Sequence, residues 1–243
     1  MEITLFILGI IVFAYLFGSI PTAIIFGKIK GVDVRKYGSH NAGGTNVGRV
    51  IGKKEGLMVI ILDIFKCFIP CLITKLIFDF APLPAYDFPH LDEILVNLTG
   101  LVVAIGHTFP VFAHFKGGKA VACFAGYILF TAPLLAFVGM SVFFLTFAIS
   151  KRVSLSSVIG VPSVFVASLI PTILDLTIAS DPAIWNGGMI FAPSFFLHIS
   201  YVTSIGVLLY TILVIIRHSS NIKRLSKGQE PETKFKHKNQ ETA

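Results

Sequence analysis

Apolar runs long enough to cross a bilayer recur along the whole chain, and no other feature narrows its possible folds so far. The runs Ile3–Phe26, Gly56–Phe78, Ile94–Phe112, Leu155–Leu176 and Ile190–Ile216 each approach the roughly 20 residues that a bilayer core demands. With 54% apolar residues, only 14% charged residues and a mean hydropathy of +0.82, the composition excludes an ordinary water-soluble domain. The fold class is all-α: a polytopic membrane helical bundle. The first run is too long for a signal-peptide core, lacks a basic leader, and ends in Gly18-Ser19-Ile20-Pro21, which predicts a retained, kinked first span.

Charge then orients the bundle. Lysine and arginine crowd into residues 28–54, 116–119, 151–152 and 217–238, whereas residues 79–93 and 175–188 carry acids without either base. The positive-inside rule places all four basic segments in the cytoplasm, with the N-terminus outside and the C-terminus inside. One straight helix from Lys119 to Ile149 would rise about 45 Å and put Lys119 and Lys151 on opposite faces. Both are basic, so the chain must cross twice there. Thr131-Ala132-Pro133 is the turn signal between the two crossings, which leaves a first crossing that is short and tilted or enclosed by protein. The expected count is about seven transmembrane helices in one membrane domain, residues 1–225, followed by a basic, flexible cytoplasmic tail, 226–243.

The four basic islands carry the polar chemistry. In the first, Gly38-Ser-His-Asn-Ala-Gly-Gly-Thr-Asn46 leads into a predicted short helix from Thr45 to Lys53, with Val47, Val50 and Ile51 on one face and Arg49 and Lys53 on the other. Backbone N–H groups freed by glycine, a helix end and a fixed guanidinium suit a phosphate; an amphipathic connector pairing with anionic lipid fits the same residues. In the second, Phe115-Lys-Gly-Gly-Lys119 is no Walker A loop, since no serine or threonine follows Lys119 and no strand precedes it. Its glycine pair would let a ligand oxygen reach bare backbone, and a plain tight turn is the simpler alternative. The third, Lys151-Arg-Val-Ser-Leu-Ser-Ser157, looks like a helix start. In the fourth, Arg217, His218 and Asn221 share one side of one turn.

Two further features lie within spans. Asp63 and Lys66, three residues apart, are expected to face the interior as a mutual pair that braces the site above. The three cysteines, Cys67, Cys71 and Cys123, lie in apolar runs without histidine or carboxylate at ligand spacing, so they read as core hydrophobes and indicate neither a disulfide framework nor a metal site. Asn97-Leu-Thr99 fits a glycosylation pattern inside an apolar span and is taken as chance, while Trp185 in Asp181–Gly188 is expected as an interfacial anchor.

Taken in order, Gly18-Ser-Ile-Pro21, Gly38–Asn46 with Arg49, Gly52-Lys-Lys54, Gly106-His-Thr-Phe-Pro110, Lys116-Gly-Gly-Lys119, Ser154-Leu-Ser-Ser157 and Arg217-His218 with Asn221-Ile-Lys-Arg224 resemble the bacterial acyl-phosphate:glycerol-3-phosphate acyltransferases of the PlsY type. The resemblance implies transfer of a fatty acyl group from acyl phosphate to the 1-hydroxyl of glycerol 3-phosphate, giving lysophosphatidic acid for phospholipid synthesis in the bacterial plasma membrane. It also implies that Ser39, Asn41, Thr45, Arg49 and Lys119 bind substrate, that Gly117 and Gly118 shape the glycerol 3-phosphate pocket, and that Ser156, Ser157, His218 and Asn221 line the reacting centre. No cofactor, metal, nucleic acid or obligate protein partner is called for; the partners are the two substrates and membrane lipid. His40 and Ala120 stand where the family commonly has glycine, Ala42 and Gly43 replace a bulkier residue and an alanine, and Cys123 replaces threonine. An exchanger of organic phosphates is the rival reading, but its polar groups should lie near the bilayer midplane rather than at one interface. A His-x4-Asp acyltransferase is excluded, because no histidine has an aspartate five positions later.

Overall fold

A computed structural model describes residues 2–81, 88–178 and 199–234, and these are helical with no strand among them. The helices are α1 (Glu2–Gly18), α2 (Thr22–Ile29), α3 (Gly44–Val50), α4 (Lys53–Phe80), α5 (Leu91–Thr108), α6 (Val121–Thr131), α7 (Pro133–Ser150), α8 (Val153–Ile178), α9 (Tyr201–Arg217) and α10 (Ser219–Ser226). Five of the described spans are long and apolar enough to cross a membrane, and the count is six if α9 and α10, bent by 62°, are taken as one span. The segment containing Trp185, and the residues where the last apolar run begins, lie outside the described residues.

The punctuation read from the sequence has a physical cause at each break. Between α1 and α2, Pro21 has no N–H to continue the ladder, and Gly18 lies so close to the Val103 backbone that a Cβ would collide with it. Gly106 of α5 faces the Tyr15 carbonyl in the same way, so α1 and α5 cross through bare backbone, as small residues allow in a bundle without a hydrophobic drive between helices. Pro133 opens α7 directly after Ala132, the residue that ends α6. With 11 residues, α6 rises only about 16 Å, half of a bilayer core. It lies against α4, with Gly126 on the Ile64 carbonyl, so protein rather than lipid surrounds much of it.

The core forms where α4, α5, α6 and α9 meet. Tyr127 and Tyr210 stack with ring centroids 5.1 Å apart, Phe124 packs edge-on to Tyr210, and the three cysteines are buried beside them as free thiols. Asn97 belongs to the same interior: it accepts from the Tyr127 hydroxyl and donates to the Glu93 carbonyl. At the end of the bundle away from the basic islands, Lys75 pairs with Asp79 at 2.6 Å and with Asp92 at 3.2 Å.

Candidate active site

The basic islands meet at one end of the bundle. The first wall is the loop before α3. Asn46, 1% exposed, pins it by accepting the Ser39 N–H at 2.8 Å and donating to the carbonyls of Val34 at 2.7 Å and Tyr37 at 3.1 Å. With its amide saturated, Asn46 fixes the loop's shape, a role the sequence did not assign. The side chains of Ser39, Asn41 and Thr45 make no hydrogen bond among the described residues, and Ser39 is exposed. The predicted helix from Thr45 to Lys53 is corrected: α3 runs Gly44–Val50, and Lys53 opens α4 instead of sharing a face with Arg49. One face of α3 packs on protein. Gly44 and Gly48 seat it against Gly56 of α4, and Val47 is buried with Ala23, Val34 and Val59.

The second wall is the turn before α6, and here the expected backbone cradle is corrected. Gly117 donates its N–H to the Thr108 carbonyl at 3.2 Å and Gly118 to the His107 carbonyl at 3.1 Å, so neither is free for a ligand. A Cβ on Gly117 would strike the His107 carbonyl, and one on Gly118 the His107 ring. The glycines are therefore required to seat the turn on the end of α5, which aims Lys119 into the site. Beneath the turn lies a buried polar cluster. Lys66 is 2.9 Å from Asp63, donates to the Ile20 carbonyl at 2.9 Å, and lies 3.1 Å from His107 Nδ1; Thr22 donates to Asp63 at 2.5 Å. The expected Asp63–Lys66 pair thus extends to the helix break on one side and to the glycine turn on the other.

The remaining walls are the start of α8 and the α9–α10 bend. Ser156 and Ser157 are buried and donate to the carbonyls of Arg152 at 3.0 Å and Val153 at 2.9 Å, so their protons serve the start of α8, and neither side chain bonds another wall of the site. Ser154 does: it donates to Glu230 Oε1 at 2.6 Å. At the bend, His218 is buried with Nδ1 2.8 Å from the Val214 carbonyl. A carbonyl can only accept, so Nδ1 carries the proton and Nε2 keeps its lone pair. Asn221, first turn of α10, accepts from Lys119 Nζ and donates to Glu230 Oε1 at 2.7 Å.

The part that sequence reasoning missed is the segment after α10. Expected as flexible tail, its described portion is docked across the site. Glu230, 5% exposed, takes hydrogen bonds from Ser154, Asn221 and, at 2.7 Å, Arg224, while its carbonyl accepts from Arg152 Nε at 2.8 Å. Thr233 accepts from Arg49 Nη2 at 3.0 Å and donates its N–H to the Lys151 carbonyl at 2.8 Å. Lys119 and Lys151 are thereby linked at the same end of the bundle. A single glutamate in a charged tail gives no local sequence signal; a buried partner is needed to reveal it.

Charge in this site is unbalanced. Arg49, Lys119, Arg152, Arg217 and Arg224 gather there, and Glu230 is the carboxylate bonded into the group among the described residues. Burial would raise the Glu230 carboxyl, but hydrogen bonds from Ser154, Asn221 and Arg224 outweigh it and hold the carboxyl below its ordinary range. Burial lowers Lys119 to about 8; Glu230 opposes the shift, while Arg224, Arg217 and Arg49 add to it. A cluster of cations that depress one another is stabilised by an incoming anion.

Comparison with known proteins gives the same direction. A family model described as glycerol-3-phosphate acyltransferase matches residues 8–228. The glycerol-3-phosphate acyltransferase of Chlorobaculum tepidum is 39% identical over 237 residues, 96% of this chain and 98% of that protein. The Bacillus subtilis protein of that name is 40% identical over 228 residues, 93% of this chain and 97% of its own length. The crystal structure of PlsY (YgiH), an integral membrane glycerol 3-phosphate acyltransferase, in its glycerol 3-phosphate form is similar with a TM-score of 0.74 at 32% identity, covering 93% of this chain and 94% of that one. Its lysophosphatidic acid form gives 0.72.

Proposed function

Because the chain belongs to the glycerol-3-phosphate acyltransferase family, we propose that it transfers a fatty acyl group from acyl phosphate to the 1-hydroxyl of glycerol 3-phosphate at the cytoplasmic face of a bacterial plasma membrane. The observation that carries this reading is the excess of cations over carboxylate at one end of an apolar bundle. Both substrates bear phosphate, so binding them side by side must offset up to about four negative charges. The acyl chain stays in lipid while its head enters the polar pocket. That arrangement follows from seven spans with the basic islands inside, the topology expected from charge.

The chemistry asks little beyond positioning. The 1-hydroxyl oxygen attacks the acyl carbonyl carbon, the carbonyl electrons move onto oxygen, and on collapse the bond from carbon to the phosphate oxygen breaks. Inorganic phosphate leaves with that electron pair, and the hydroxyl proton passes to His218 Nε2 or to a phosphate oxygen. His218 is suited to receive it because Val214 occupies its other nitrogen. Ser39, Asn41, Thr45, Arg49 and Lys119 would hold glycerol 3-phosphate, with Gly117 and Gly118 setting the position of Lys119. Ser156 and Ser157, their protons committed to helix carbonyls, would serve as acceptors rather than nucleophiles, so no acyl-enzyme forms.

Purified protein given glycerol 3-phosphate with either acyl phosphate or acyl-CoA tests the assignment. Lysophosphatidic acid and one equivalent of phosphate should form with acyl phosphate. Product from acyl-CoA alone, or a stable acyl-serine adduct, would contradict it.

A further inference from the structure

A guanidinium grips a phosphate well only where its plane is held, because the freedom a long side chain loses on binding is subtracted from affinity. Arg49 is half-buried, and among the described residues one hydrogen bond restrains it: Nη2 donates to Thr233 Oγ1 at 3.0 Å. Thr233 belongs to the docked segment after α10, 184 residues further along the chain. It has little freedom of its own. Its backbone N–H donates to the Lys151 carbonyl at 2.8 Å, and its Oγ1 takes a second bond, from the Val153 N–H that opens α8, at 3.3 Å. The α7–α8 junction thus holds the hydroxyl that holds Arg49.

The chemistry of that acceptor matters as much as its place. A guanidinium has five N–H donors, and Thr233 takes one of them. Nε and Nη1 of Arg49 bond nothing among the described residues, so a ligand need not displace the threonine to reach them. The hydroxyl is neutral, and it orients the plane without cancelling the charge that a phosphate requires. Carboxylates lie close by in the sequence, yet none is used here. Glu230 gives its oxygens to Ser154, Asn221 and Arg224, Glu232 is exposed, and neither bonds Arg49 among the described residues. A carboxylate at position 233 would pair with Arg49 and compete with substrate; a hydroxyl braces it and leaves it cationic. We propose that Thr233 is a positioning residue for the acceptor substrate, fixing the Arg49 guanidinium so that its remaining donors meet the phosphate of glycerol 3-phosphate and making the C-terminal segment part of that pocket.

This inference rests on glycerol 3-phosphate as the ligand of Arg49, assigned above. Titration of the full chain in detergent with glycerol 3-phosphate, beside kinetics with both substrates varied, separates the two. Thr233→Val keeps the branched shape and the backbone bond but removes the acceptor. It should raise Kd and KM for glycerol 3-phosphate about three- to tenfold, with kcat and the KM for acyl phosphate within about twofold. Thr233→Ser should return the acceptor values to within about twofold of wild type. Thr233→Asp should weaken binding beyond Thr233→Val, since its carboxylate competes for Arg49. In an Arg49→Ala background Thr233→Val should cost nothing further, because the hydroxyl acts through the guanidinium. An unchanged or tighter acceptor Kd in Thr233→Val, no rescue by Thr233→Ser, or a full further loss in the Arg49→Ala background would overturn the proposal. A fall in kcat or Tm with the acceptor KM untouched would do the same, being what a cap on α8 alone gives. Wild-type protein without affinity for glycerol 3-phosphate would instead remove the acceptor assignment, and this role with it.

Discussion

At the scale of single residues, two of the departures from the family's common wording coincide with backbone strain. His40 has φ 56° and Ala120 φ 61°, both in the left-handed region that favours glycine, and both are positions where the resemblance leads one to expect glycine. Ala120 is also 1% exposed, so its methyl group is packed as well as strained. Replacing it by glycine relieves about 1–2 kcal/mol of left-handed strain and gives back part through chain entropy and lost packing. Ala120→Gly should therefore raise stability by about 0.5–1 kcal/mol, read as a higher Tm in detergent; a lower Tm would show that the methyl contact outweighs the strain. Lys119 gives the second expectation at this scale. Lowered to about 8, it is charged below that pH and neutral above it. A phosphate needs the charged form, so kcat/KM for glycerol 3-phosphate should fall above pH 8, by up to about tenfold per unit. Bound anion favours the proton, so kcat should hold to higher pH. In Lys119→Arg, whose guanidinium stays charged, the alkaline fall should disappear; its persistence would assign it to another group.

At the scale of elements, the relation between the glycine turn and the buried cluster governs the site. The turn cannot move freely, because Gly117 and Gly118 are bonded to the end of α5 and His107 lies directly under them. His107 in turn depends on Lys66, and Lys66 on Asp63. Removing Asp63 leaves the Lys66 ammonium, 4% exposed, without its counterion. Asp63→Ala should cost about 3–5 kcal/mol, measured as reduced resistance to unfolding in detergent. An effect below about 1 kcal/mol would mean that the Ile20 carbonyl and His107 suffice to hold the lysine. The Asp63–Lys66 pair was legible from its spacing within an apolar run, whereas the third member was not. His107 lies in a different span, and only the crossing of α4 and α5 brings them together. The backbone donors of Gly117 and Gly118 are not legible for a related reason: Lys-Gly-Gly-Lys announces a tight turn, but which carbonyls consume its N–H groups depends on where α5 ends.

At the scale of the whole molecule, hydropathy and charge defined the class and the islands, since both follow from local composition and the bilayer's demands. Local composition could not reveal how the C-terminal segment returns over the site. Glu230 and Thr233 lie in a stretch rich in lysine and glutamate, yet they tie together α8, α10 and Arg49. Arg49 and Lys119 were legible because glycine-rich loops with basic residues are rare in a membrane chain; Asn46 and Ser154, which hold those loops, were not distinguished from their polar neighbours. The central claim is that the gathered cations exist to hold substrate phosphate, and titration of purified protein with glycerol 3-phosphate tests it most directly. The wild type should bind, and Arg49→Ala and Lys119→Ala should each weaken binding by about ten- to a hundredfold while remaining folded. Wild-type affinity in both variants would contradict the account.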